Sequence, residues 1–226
     1  MTGFEDEAGP LVDLAKSYLD ALLNVQKDEA SRMILEAVEN GTKIKDIYIH
    51  VFESSQHEIG RLWQNNQINV AQEHYCTAAT QLIMSQLYPH IFRTKKNGRR
   101  LVAACAAGEM HEIGVRMVAD FFEMEGWDTY YLGANTPNES ILETIIELKP
   151  DIVALSASIP SNVRFLMDLI TSIRKSPEIT EVKVMVGGRS FMLAPELYKK
   201  VGADGCPSNA QEAVSLANEL ISPQVS

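Results

Sequence analysis

Apolar residues recur with two different periods along this chain, and the change falls near residue 93. Before it the spacing is helical. Leu11, Leu14, Ala15, Tyr18, Leu19 and Leu22 form one stripe. Ala30, Met33, Ile34, Ala37 and Val38 form a second, at i, i+3, i+4, i+7 and i+8. Asn40-Gly41 closes that helix, with glycine just past the last turn. A third helix is predicted over 44–63 with Ile47, Val51, Phe52, Ile59 and Leu62 inward, broken by Asn65-Asn66. A fourth covers about 70–88 and ends before Pro89. Four helices with short connections predict an antiparallel four-helix bundle.

Past residue 100, short apolar runs alternate with helical patterns. Strands are predicted over 101–105, 129–132, 152–155 and 182–186, with a short fifth near 203–206. Helices fall at 113–125, 139–148, 163–174, 195–201 and 210–221. Alternating βα units with right-handed crossovers predict a parallel sheet covered on both faces. The expected fold is therefore α/β with an N-terminal all-α part: a helical bundle over 1–92, a linker over 93–100, and a doubly wound, Rossmann- or flavodoxin-like domain over 101–226.

Composition narrows the function classes. The chain has 226 residues, 46% apolar and 22% charged, the balance of an ordinary globular protein. No apolar run reaches the length of a membrane span, and the acidic start Met1-Thr2-Gly3-Phe4-Glu5-Asp6-Glu7 does not resemble a signal peptide, so the expected setting is cytoplasmic, off the membrane. A formal net charge of −10 opposes direct nucleic-acid binding, which gains affinity by neutralising phosphates. The one basic cluster, Arg93, Lys95, Lys96, Arg99 and Arg100, surrounds Asn97-Gly98 and reads as a solvated linker. Cys76, Cys105 and Cys206 lack metal-ligand spacing and read as buried thiols. His50, His57 and His90 lie on predicted helices and read as structural, as does Trp127 before the second strand.

Three loops should meet at the carboxyl edge of the sheet, where open α/β folds bind ligands. The first, Gly108-Glu109-Met110-His111-Glu112-Ile113-Gly114, puts a histidine between a first strand and a first helix. A nearby acid can hold one imidazole nitrogen and leave the other for a metal. The second, Ser156 to Asn162, is rich in hydroxyls; the third is Gly187-Gly188-Arg189-Ser190. Small residues in all three leave a slot suited to a nucleotide-like group. No G-x-G-x-x-G follows the first strand and no Walker lysine is present, which argues against NAD and ATP.

These residues resemble the cobalamin-binding signature shared by methionine synthases, corrinoid methyl carriers and related mutases. That signature has D-x-H-x-x-G after the first strand, a serine loop after the third and G-G after the fourth. It matches here at His111, Gly114, Ser156, Ser158, Gly187 and Gly188, with Glu109 where the family has aspartate. The resemblance implies that His111 is the lower cobalt ligand, that Met110, Glu112 and Ile113 share its loop, and that the nucleotide tail lies between the other loops. It also implies that the bundle caps the upper face of the corrin. Trp63, nine intervening residues and Glu73-His74 are further similar to the W-x9-E-H pattern of CarH-type light-sensing regulators. There the tryptophan packs over an upper adenosyl group and the Glu-His pair lines that pocket. Gln64 stands where those sensors commonly have a histidine.

The resemblance thus implies first a non-enzymatic sensor, in which light breaks the Co–C bond of adenosylcobalamin and changes self-association or contacts with a regulatory partner. The alternative is a corrinoid methyl carrier of a methyltransferase system, whose upper face must open to partner active sites. A third reading adds a linear tetrapyrrole such as biliverdin near the bundle. No general acid–base pair, nucleophile–base pair or metal cluster in the sequence argues for autonomous catalysis.

Overall fold

The structure, a computed structural model, describes residues 9, 11–92 and 94–222. The acidic segment 1–7 and Arg93 lie outside the described residues. The chain divides into two compact units, 1–90 and 91–226.

The first unit is helical. Its elements are α1 (Val12–Leu23), α2 (Lys27–Glu39), α3 (Ile44–Ile47), α4 (Ser54–Gln64) and α5 (Val70–Gln86), with a short α6 (Tyr88–Ile91) directly after. α1 packs on α2, α4 and α5, and α4 packs on α5. The predicted stripes are what these contacts bury: Tyr18, Leu22, Ile34, Ile47, Val51, Phe52, Ile59 and Ile83 are each at most 1% exposed. The helix predicted over 44–63 is not uniform. Tyr48–Glu53 between α3 and α4 is a π-helix. Tyr48 and Phe52 both face inward from it, with ring centroids 5.3 Å apart, and Tyr18 lies 5.6 Å from Phe52. Asn69 and Gln72 open α5 with a capping box: the Gln72 amide donates to Asn69 Oδ1 at 2.9 Å, and the Asn69 amide to Gln72 Oε1 at 3.0 Å.

The second unit runs β1 (Arg100–Cys105), α7 (Ile113–Met124), β2 (Asp128–Gly133), α8 (Asn138–Leu148), β3 (Ile152–Ser156), α9 (Val163–Lys175), β4 (Lys183–Gly187), α10 (Arg189–Leu193), α11 (Leu197–Lys200) and α12 (Ala210–Ile221). The strands form one parallel sheet in the order β2-β1-β3-β4. β1, β3 and β4 carry near-continuous Val, Ile, Leu and Ala because both faces are covered. Val102, Ala104, Val153, Leu155, Val184 and Val186 share one core with Ile141 and Ile145 of α8 and with Leu166, Leu169 and Ile170 of α9. On the other face α7 packs against β1 and β2, and α12 against α7 and β4.

Four expectations change. The fifth strand near 203–206 is a single parallel bridge between Met185 and Gly205. Gly205 accepts from the Val186 amide at 3.0 Å, but Pro207 two residues on has no N–H to continue the ladder. Arg189 and Ser190, read as loop, begin α10, and the helix predicted over 195–201 is only α11. The basic stretch is also no solvated linker. Lys96 bonds the Glu123 carboxylate and donates to the Trp127 carbonyl at 2.7 Å. Arg99 bonds Asn218 and lies 5.6 Å over the Trp127 ring, and Arg100 donates to the Leu148 carbonyl at 2.8 Å. These residues fasten the amino-terminal edge of the sheet, and Trp127 is the packing residue expected, 1% exposed.

Gly188 sets the path between β4 and α10. Its φ is +95°, and a Cβ there would stand 2.7 Å from the Ala157 carbonyl oxygen. Gly188→Ala should cost about 1–3 kcal/mol. Gly187→Ala, with nothing within 4 Å of the added carbon, should stay within about 0.5 kcal/mol of wild type. Urea denaturation of both variants checks this, and equal midpoints would show that the loop relaxes around the added methyl.

Candidate functional site

In the order β2-β1-β3-β4, the chain leaves β1 for the neighbour on one side and leaves β3 for the neighbour on the other. Loops after β1 and β3 therefore diverge, and the crevice between them is the fold's natural ligand position. The histidine loop occupies it. The Ala106 amide donates to the Ser156 carbonyl at 3.0 Å, and the Glu109 amide to the Ala106 carbonyl at 2.9 Å, which turns the chain so that Glu109 points in and His111 out.

Glu109 is 0% exposed. Its Oε1 accepts from the His111 amide at 3.0 Å and from His111 Nδ1. Its Oε2 accepts from the amides of Ser158 at 2.7 Å and Ile159 at 3.0 Å, and from Asn162 Nδ2 at 3.2 Å. Burial works to raise this carboxyl's pKa, but the bonds from the His111 side chain and from the His111, Ile159 and Ser158 amides prevail and hold it well below the usual carboxylate range. The carboxylate stays ionised without a buried cation beside it. Ser158 and Ile159 lead into a 3-10 turn, Pro160–Asn162, and then α9, so the charge also meets the positive end of a helix. The His111 side chain is 51% exposed while its Nδ1 is held.

The other predicted loop residues divide into packing and surface. Ser156 is buried, and Ser158 accepts from Ser190 Oγ at 3.1 Å through its carbonyl, so the second and third loops are tied together. Gly114 and Gly187 each border open space. Met110 is 66% exposed and Ile159 41% exposed, giving an apolar surface on the two loops that Glu109 joins. Ile113 is half-buried at the start of α7. Glu112 accepts from Tyr131 Oη at 2.8 Å and from the Ala134 amide at 3.0 Å. Cys105 is buried, its thiol pushed up to about 12 by burial and then by the charges of Glu109 and Glu112, which suits an inert core residue. Asn162, Tyr131 and Asn135 went unpredicted. Asn162 was visible at the end of the polar loop, but which carboxylate it meets depends on the sheet order.

The residues fit a corrinoid on these observations. Among the described residues no three His, Cys, Asp or Glu side chains gather to hold a bare metal ion. His111 offers one imidazole, suited to a metal whose remaining ligands belong to a larger group, and open space lies at Gly114 and Gly187 for that group to enter.

In the first unit, Trp63 at the end of α4 is 41% exposed. Glu73 and His74 lie in the first turns of α5, and His74 Nδ1 bonds Glu73 Oε2 at 2.5 Å. A polar ladder continues inward: Thr77 Oγ1 donates to Glu73 Oε1 at 3.2 Å and lies 2.9 Å from Gln56 Oε1, Gln56 Nε2 donates to Thr80 Oγ1 at 2.9 Å, and Thr80 meets the buried Tyr18 hydroxyl at 2.9 Å. Glu73 is thus anchored through Thr77 to Gln56 of α4, while the His74 side chain beside it is 75% exposed.

Two family models match, both described as B12 binding domain, over residues 99–216 and 14–88. Dimethylamine corrinoid protein 2 of Methanosarcina acetivorans is 26% identical, covering 92% of this chain and 96% of that protein. Dimethylamine corrinoid protein 3 of Methanosarcina mazei is 30% identical over 121 residues, 54% of this chain and 71% of that protein. The monomethylamine corrinoid protein of Methanosarcina barkeri has the same fold, with a TM-score of 0.82, 24% identity, and coverage of 93% of this chain and 100% of that one. The two sequence relatives carry the names of methylamine corrinoid proteins, whereas the resemblance read from the sequence pointed first to CarH-type sensors.

Glu109→Gln replaces two acceptor oxygens by one and turns an amide NH2 toward buried donors. The variant should lose about 3 kcal/mol at neutral pH. Because the folded pKa of Glu109 is depressed, its contribution is fully present above the unfolded carboxyl value of about 4.3 and fades as pH falls toward the lower folded value. The urea gap between wild type and variant should therefore narrow on acidification. A gap that stays constant down to pH of about 3 would contradict this reading of the carboxylate.

Proposed function

Because the chain belongs to the B12 binding domain family, we propose that it is a corrinoid methyl carrier, not itself the catalyst, that presents its cofactor to a partner methyltransferase. His111 takes the lower position on cobalt. The observation that carries the reading is the half-exposed imidazole at the switch point with Nδ1 bonded to the buried Glu109 carboxylate. With Nδ1 so engaged, Nε2 is the nitrogen we assign to cobalt, and the carboxylate makes it a stronger donor while fixing the ring's tautomer. When bound, the corrinoid supplies a cobalt centre able to hold and release a methyl group.

The remaining residues receive roles as part of the same proposal. Ser156, Ser158, Gly187 and Gly188 line the slot for the nucleotide tail, and Gly114 leaves room beside the ligand. Met110, Glu112 and Ile113 complete the loop under the corrin. The helical unit, 1–90, is assigned to the upper face, and the second unit, 91–226, to the binding domain. Trp63, Glu73 and His74 are assigned to that upper side.

The names of the relatives favour the carrier over the light sensor, and methyl over adenosyl as the upper ligand. The linear tetrapyrrole has no residue assigned to it and is not carried forward. The sensor would still be recognised by its behaviour: green light would change the spectrum and assembly of the adenosylcobalamin complex.

Two experiments test the proposal. The protein loaded with hydroxocobalamin should show a histidine-ligated, base-off spectrum, and His111→Ala should fold normally yet shift toward a water-ligated spectrum with at least about tenfold weaker binding. Unchanged affinity and spectrum would remove His111 from the site. The methylcobalamin-loaded protein should exchange methyl groups with a methylamine methyltransferase. If no exchange occurs while light dissociates the adenosyl complex, the sensor reading replaces the carrier.

A further inference from the structure

The histidine loop is held from two sides, and the side away from Glu109's carboxylate partners lies at the end of edge strand β2. There the register slips: Ala103 pairs with Tyr131 but Ala104 pairs with Gly133, so Leu132 is an extra residue on β2. Two left-handed residues follow, Gly133 at φ +81° and Asn135 at φ +49°. A bulge and a positive-φ asparagine are costly unless the surroundings require them, and both re-aim a chain. What they aim at is the histidine loop. Asn135 Oδ1 accepts from the Gly108 amide at 2.8 Å, and the Asn135 amide donates to the Glu109 carbonyl at 2.8 Å. Tyr131 Oη and the Ala134 amide both donate to Glu112 Oε2, at 2.8 and 3.0 Å. A Cβ on Gly133 would stand 3.4 Å from that same oxygen, so the bend leaves just enough room for the carboxylate.

We propose that Asn135 and Glu112 are positioning residues for His111, gripping its loop from β2 and so setting where the imidazole stands for cobalt. Asn135 fixes the loop before His111, through Gly108 and Glu109, and Glu112 fixes it immediately after. Glu109's carboxylate orients the ring, but a ring on a loop free to slide along the crevice would still miss its target. Asparagine suits the position because it tolerates the left-handed backbone and supplies the acceptor in the same residue.

The inference rests on the assignment of His111 to cobalt, and the test separates the two. The full chain, with its histidines nitrogen-15 labelled, is loaded with cob(II)alamin, and the electron paramagnetic resonance spectrum is read for the splitting of an axial histidine, which the label separates from that of the cofactor's own base. Hydrogen exchange of the Gly108 amide is followed in the protein without corrinoid. Asn135→Gly keeps the backbone freedom and removes the acceptor. It should lower the ratio of histidine-bound to unbound cobalt about tenfold and speed Gly108 exchange. Asn135→Asp, which restores an acceptor, should return both toward wild type. Tyr131→Phe, which removes one donor to Glu112, should move the ratio in the same direction and decides the matter if Asn135→Gly fails to fold. If both variants keep the wild-type splitting while His111→Ala abolishes it, the positioning role is wrong and the lower-ligand reading stands, even if the variants melt earlier. If His111→Ala keeps the splitting, both fall.

Discussion

A buried carboxylate ties this binding domain together. Glu109 has no exposure, and a lone charge in that position would be driven to its neutral form. It stays ionised because two loops aim donors at it: the amides of His111, Ser158 and Ile159, the Asn162 side chain and the His111 ring. Each donor is itself a group that would otherwise be lost to water. The requirement is therefore mutual, and moving either loop leaves several partners unsatisfied at once. The loops after β1 and β3 diverge by topology, and Glu109 spans the gap they leave.

Much else follows from keeping that span rigid. β1 and β3 are buried on both faces and paired in register from Leu101 with Ile152 to Cys105 with Ser156, so the two loops leave a stiff platform at one level. Gly188 presses the third loop against the Ala157 carbonyl, and Ser190 bonds the Ser158 carbonyl, which braces the donors that Glu109 uses. On the far side β2 gives up regular pairing at its last residues to reach the histidine loop. The register shift in the sheet falls at this end of β2, while the strand starts pair without a shift and are fastened by Lys96, Arg99 and Arg100.

The sequence made the two periods, the parallel sheet and the histidine on its first turn legible, because each rests on local pattern: stripes every three to four residues, apolar runs of strand length, and G-E-M-H-E-I-G between a strand and a helix. It did not reveal what depends on distant partners. Asn162 and Asn135 look like ordinary turn residues until the sheet order brings them to Gly108 and Glu109. Lys96 and Arg99 look solvated until the α7–β2 turn packs on them, and 203–206 looks like a strand until Pro207 withholds the next donor. The π-helix at Tyr48–Glu53 also leaves no mark in the apolar spacing, because Tyr48 and Phe52, four residues apart, would share one face of an ordinary α-helix as well. The preference for the carrier over the sensor likewise rests on the relatives' names and not on a residue pattern in this chain. The W-x9-E-H spacing is a short pattern in the helical part, and the ladder from Tyr18 gives its Glu73 a local structural anchor.

Glu109, which stands where the cobalamin-binding resemblance has aspartate, uses the whole length of its side chain. Its Oε2 meets two successive amides at the start of a helix and the Asn162 side chain, while Oε1 reaches back to the His111 ring. A residue that only oriented the imidazole would gain nothing from the added length, and would give up side-chain entropy to be held. A residue that also fastens one loop to another gains the helix's positive end and three more donors. In this chain orienting the histidine and joining the loops are one task of one carboxylate, so whatever strains the crevice also disturbs the ring.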